Sequence, residues 1–261
     1  MSESVSILAA LVALLAPLAL ATLRLVPATM MLPIFGGRAM PTTAKTPILA
    51  VLALGAAPSL LDQRAPAALR AALVLAALRE LWLGIMLALV LATPFFAVEH
   101  AGRLLDQTRG ASSSELSSAD GMGRGTPLSE LFRWSFGAAF VASGGLRALI
   151  ACVAQSFARY PVDVAPSALP PLDAMVFTAT RWAADSLSAG LALAGSGLLA
   201  LFAAEASIAV ASRVAPPIAQ SNIAAPSRAI VALFVVALMV HAMSDAGLSL
   251  ARSAVEAARA L

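Results

Sequence analysis

Cysteine is almost missing from this chain: Cys152 stands alone in an apolar stretch, which excludes a disulfide framework and a thiolate metal cluster. The two histidines, His100 and His241, have no carboxylate or cysteine at metal-ligand spacing. The sequence holds no GxSxG, HExxH, P-loop or dinucleotide fingerprint, so neither an enzyme nor a cofactor is expected. Charge is scarce, at 12% of residues, and the basic part is sixteen arginines against the single Lys45. A net charge of +3, scattered along the chain, gives no contiguous basic patch and excludes a nucleic-acid partner.

What the chain does have is apolar surface. Hydrophobic residues make up 60% and mean hydropathy is +0.89, which puts it in the membrane class. Alanine and leucine outnumber β-branched residues, and no ten-residue alternation marks an outer-membrane barrel, so the expected fold is all-α. About six hydrophobic helices are expected, at 5–23, 46–61, 81–98, 134–156, 186–212 and 229–243, arranged as hairpins in one membrane domain over 1–261. Several blocks are shorter than the roughly 20 residues that span a bilayer, or are interrupted by charge, and therefore need protein neighbours. Lys and Arg divide almost evenly between the two sides of a six-span arrangement, so no orientation follows. Glu3, with no Lys or Arg before the first block, argues against a cleaved leader; 5–23 is expected to stay as the first membrane-embedded helix.

The richest stretch is Pro94 to Ala111. At helical spacing Glu99, Arg103, Asp106 and Arg109 share a stripe, with Gly102 and Gly110 beside them. Opposite charges three and four residues apart compensate one another, and the glycines admit a second backbone. A solvated juxtamembrane face is the plainer reading of the same pattern. Ser186, Gly190 and Ala194 form a second small-residue stripe for close helix packing. Glu205 interrupts an apolar helix, with Arg213, Arg181 or Arg228 as candidate partners; it reads either as a buried pair fixing register or as a proton-relay acid. His241 reads as a helix-interface residue, and the run Ala142 to Leu146 as a packing or kink element. Residues 112–127 read as a flexible polar loop, and the amphipathic tail 244–261 reads as a surface or partner helix or, on its weak apolar content, as a fraying end.

These residues together resemble a known family, the export-apparatus T subunits of type III secretion systems (SctT), related to flagellar FliR. Pro33 to Gly37 is similar to the family's first-loop signature, and Pro94 to Ala111 follows its PFW-AVE-x-x-G-x-x-x-D-x-x-RGA block almost position by position. Thr126-Pro127-Leu128 resembles its SPL, Ser143 to Leu146 its SGGL, and Ser156 to Pro161 its S-x-x-x-x-P. Glu205, Arg213, Ala215, Pro216, Pro226 and Arg228 match its acidic residue, R-x-A-P and P-x-K, with arginine in place of lysine at 228. The Asp-Pro pair usual in the polar loop is missing, and Pro217 to Ser221 departs from the family's Q-L-N-V-F. The form Asp106 to Gly110 looks closer to injectisome than to flagellar members.

The resemblance implies an inner-membrane, multi-pass subunit of an export gate, ringed with R and S subunits, joined by a U subunit, in contact with lipid and passing unfolded secreted proteins. Under it, Glu99 to Arg109, Gly102, Gly110, Glu205, Arg213, Pro216 and Arg228 are inter-subunit or gating candidates, and Met30 and Met31 help seal the resting pore. A multi-pass secondary transporter, a flagellar homologue and an intramembrane enzyme are the rival readings. The two halves lack the internal symmetry expected of the first.

Overall fold

The computed structural model describes residues 18–33, 35, 43, 47, 69–108, 116–117, 124–162, 172–214, 230, 234, 237, 245 and 247–256. The architecture is all-α apart from a two-residue antiparallel pair. Helix α1 is Leu18–Met31 and α2 is Leu69–Thr108. Strand β1, Leu116–Ser117, pairs with β2, Arg124–Gly125, placing Leu116 opposite Gly125. Then come α3, Pro127–Ala142, α4, Gly145–Arg159, and α5, Leu172–Val214. Residues 247–256 form α6. Among the described residues two stretches, Val74–Thr108 and Ala179–Ala211, are long and apolar enough to cross a membrane, and α3 with α4 makes a third if the broken pair is one span.

Helix boundaries differ from those expected, for identifiable reasons. The 81–98 block widens to Leu69–Thr108 because the charges flanking it, Arg79 and Glu80, are buried and paired. Pro94 lies inside this helix and removes one backbone donor without ending it. The 5–23 block, described from residue 18, runs on through Arg24 and Pro27 to Met31, since Arg24 is buried in ion-pair contact and is no loop charge. The 134–156 block is two helices. It starts early, at Pro127, where Thr126 is N-cap, proline occupies the first turn and the Thr126 N–H donates to Ser129 Oγ (2.9 Å). It breaks where Gly144 takes φ +82°, a left-handed conformation that costs glycine little. The 186–212 block extends to Leu172–Val214. The 46–61 and 229–243 blocks lie outside the described residues, save 47, 230, 234 and 237, and so does His241.

The chain forms two compact units. In the first (1–92, 144–182 and 253–261), Trp82, Met86 and Leu89 form one face of α2, with Met31, Ile85 and Trp182 against it. In the second (93–143 and 183–252), the Phe95 ring meets Phe136 and Phe140 edge-on, with centroids 4.9 and 5.2 Å apart. The C-terminal tail does not fray over 247–256: Ala251, Ala254 and Val255 are buried, and Gly247 lies against the Phe136 ring. Small residues there permit close packing that low apolar content concealed.

Candidate functional site

In the second unit α2 and α3 approach backbone to backbone at Gly102. A Cβ built there would stand 2.6 Å from Ser129 Cα and 2.7 Å from its nitrogen. One turn further along α2, the buried Asp106 carboxylate accepts a hydrogen bond from the Leu128 N–H (2.7 Å). This places an anion on an orphan donor at the positive end of α3. Asp106 is thus an anchor between helices, beyond the ladder role its spacing suggested.

Charges gather around this crossing. Arg103 pairs with Glu99 along α2, and Arg133 pairs with Glu130 along α3. The two pairs act on each other electrostatically across the helices, so four alternating charges compensate as a group. Trp134 Nε1 also donates to Glu130 (3.2 Å), and the Arg133 guanidinium stands 5.3 Å from the Trp134 ring centre. Glu130 and Arg133 were missed as site residues; their i,i+3 spacing just inside a Thr-Pro helix start was the available signal. Arg109 and Gly110 lie outside the described residues.

A second cluster, in the first unit, has no precursor in the sequence reading. Arg24 on α1 forms an ion pair with Glu80 on α2 (2.6 Å), and both side chains are 1% exposed. The same guanidinium donates to the Ser156 carbonyl (2.9 Å) and the Tyr160 carbonyl (2.8 Å) at the end of α4, and lies 4.2 Å over the Phe157 ring. Arg79 Nη1 approaches Glu80 Oε1 at 4.0 Å and donates to the Pro161 carbonyl (3.3 Å). Beside the cluster, a Cβ on Gly84 would collide with the Arg24 carbonyl. Among the described residues, no group of three or more His, Cys, Asp or Glu side chains is placed to hold a metal ion.

Helix α5 carries the small-residue stripe. Ser186, Gly190 and Ala194 are buried, and a Cβ on Gly190 would stand 2.9 Å from the Ala97 carbonyl and from His100 Cβ on α2. Much of the helix away from this stripe is exposed, including Leu187, Leu191, Leu199, Phe202 and Val210. Glu205 is half-buried and Arg213 exposed on this one unbroken helix. Eight residues along an α-helix are ~12 Å of rise, beyond the i,i+3 and i,i+4 neighbours that pair directly. A double-mutant cycle of Glu205→Gln with Arg213→Gln is therefore expected to be additive within about 0.5 kcal/mol, measured by thermal unfolding in detergent. Pro216 and Arg228 lie outside the described residues.

The sequence matches the family described as bacterial export proteins, family 1, over residues 15–253. It is 27% identical over 205 residues to the surface presentation of antigens protein SpaR of Salmonella typhimurium, a match spanning 78% of this chain and 74% of that protein. It is 29% identical over 171 residues to the Yop proteins translocation protein T of Yersinia pestis, spanning 64% of each, just under two thirds of that relative's length. The protein of the same description from Yersinia pseudotuberculosis matches equally.

Proposed function

This chain belongs to the bacterial export proteins, family 1, as a membrane component of the type III export apparatus, and on that footing we propose that it forms part of the export gate itself. Acting as one membrane domain, it would line the entrance for unfolded secreted proteins in the bacterial inner membrane, crossing that membrane several times. Its neighbours are the R and S subunits in a hetero-oligomeric ring, with a U subunit attached. Mechanism here means opening and closing a passage; bond-making has no part in it.

The observation that carries this reading is α5. It is long and apolar, has one stripe seated on α2, and leaves Leu199 and Phe202 72% and 71% exposed. Neighbouring subunits are the covering proposed for that flank. Charges near the α2–α3 crossing compensate within the chain, so an apolar assembly accommodates them at low cost. The outward edge of that crossing, where the Arg103 side chain is 43% exposed, together with Arg109, Gly110, Glu205, Arg213, Pro216 and Arg228, is proposed to meet adjacent subunits. Met30, which is exposed, and Met31 are proposed to close the resting pore.

Co-expression of the full chain with R and S subunits, followed by detergent extraction and pull-down, tests the reading. The three are expected to purify as one complex, and the chain made alone is expected to be polydisperse. A stable monomer that carries a small solute across vesicles would refute it.

A further inference from the structure

The Arg24 side chain does more than neutralise Glu80. Nε donates to Glu80 Oε2 (2.7 Å), Nη1 to the Ser156 carbonyl (2.9 Å) and Nη2 to the Tyr160 carbonyl (2.8 Å), so one planar fork ties α1 to α2 and to the end of α4. The backbone of the same residue meets Gly84, where a Cβ would find no space. Helix α1 is thus fixed at Arg24 both by its side chain and by its main chain. Two turns on are Met30 and Met31, ~10 Å along the axis, and Met31 packs against Trp82, Met86 and Leu89. Between the two points Pro27 removes one donor from the backbone ladder, and the Thr29 hydroxyl donates to the Leu25 and Val26 carbonyls one turn back along the same helix. Leu32 and Phe35 then turn back into buried positions.

We propose that Arg24 is a positioning residue: it sets the height and rotation of α1 and thereby holds Met30, Met31 and Leu32 at its end in place. A hydrophobic pair of similar volume would fill the same space, yet it would remove the Arg24 donors from the Ser156 and Tyr160 carbonyls and leave α1 without a fixed register. Lysine would keep the charge and lose the fork, since a point ammonium cannot match the three acceptors in one plane. The consequence for sealing rests on the proposed function above; the positioning does not.

The test uses the full chain co-expressed with its partner subunits, carrying Cys152→Ala so that Met31→Cys is the sole thiol. Labelling of that thiol by a membrane-impermeant maleimide in detergent-extracted complexes is followed with Arg24 intact, with Arg24→Lys, and with Arg24→Leu combined with Glu80→Leu. The doubly neutral variant is expected to co-purify with the partners and to label about tenfold faster than the parent, with the lysine variant in between. Unchanged labelling in both variants would overturn the proposal. Should the doubly neutral variant fail to assemble, the lysine variant decides alone by the same rate. Ion leak through the reconstituted complexes separates the two layers: faster labelling with greater leak supports both, and faster labelling without leak upholds the positioning while sinking the seal.

Discussion

Replacing Arg24 by alanine is expected to take away a large share of the stability of the first unit. The change strips a carboxylate that is 1% exposed of its nearest counter-ion, leaving it Arg79 at 4.0 Å, and among the described residues Glu80 Oε1 already lacks a hydrogen bond. It also leaves the Ser156 and Tyr160 carbonyls without their Arg24 donors and removes the cation from the Phe157 ring. Breaking a buried pair from one side costs about 3–5 kcal/mol, because the remaining charge stays desolvated. Whole domains are stable by only about 5–15 kcal/mol. The midpoint of thermal aggregation in detergent, and the steady-state level in membranes, should both fall sharply. A midpoint equal to the parent's would mean that Glu80 finds water or another cation readily, and the cluster would lose its importance.

Gly102→Ala is expected to be nearly as damaging, for steric reasons. Every near neighbour of the added methyl is backbone: Ser129 Cα at 2.6 Å, Ser129 N at 2.7 Å and Leu128 C at 2.8 Å. No side chain can swing aside, so α3 itself must withdraw. Withdrawal breaks the Asp106 hydrogen bond to the Leu128 N–H one turn away. Overpacking typically costs about 1–3 kcal/mol, and a hydrogen bond to a charged group adds about 1.5–3 kcal/mol. Gly137→Ala on α3 is the control, since nothing lies within 4 Å of its added methyl. It should be neutral or slightly stabilising, by up to about 1 kcal/mol from helix propensity. Thermal midpoints of the two variants, measured side by side, check both expectations.

The contrast between these two sites shows what was legible beforehand. Gly102 and the Ser186-Gly190-Ala194 stripe could be found because close helix packing writes itself into local spacing, three or four residues apart. The kink at Gly144 was legible for a similar reason, as a cluster of small residues inside an apolar run. Arg24 and Glu80 are 56 residues apart, each at the edge of its block, and an isolated charge beside an apolar run looks like a helix end. Only the tertiary fold makes them partners. Asp106 was found but misjudged, since helical spacing shows which charges share a stripe and says nothing of another helix's free N–H groups nearby. Glu205 illustrates a different limit of helical spacing. Residues eight apart on one helix share a face yet lie ~12 Å apart along its axis, beyond the i,i+3 and i,i+4 neighbours, so a shared stripe by itself specifies no contact.

Helix α5 has a consequence for the life of the protein in the cell. With one narrow stripe seated and Leu187, Leu191, Leu199 and Phe202 bare, that flank needs an apolar surrounding at every stage, lipid tails before any assembly and, under the proposed function, adjoining subunits after it.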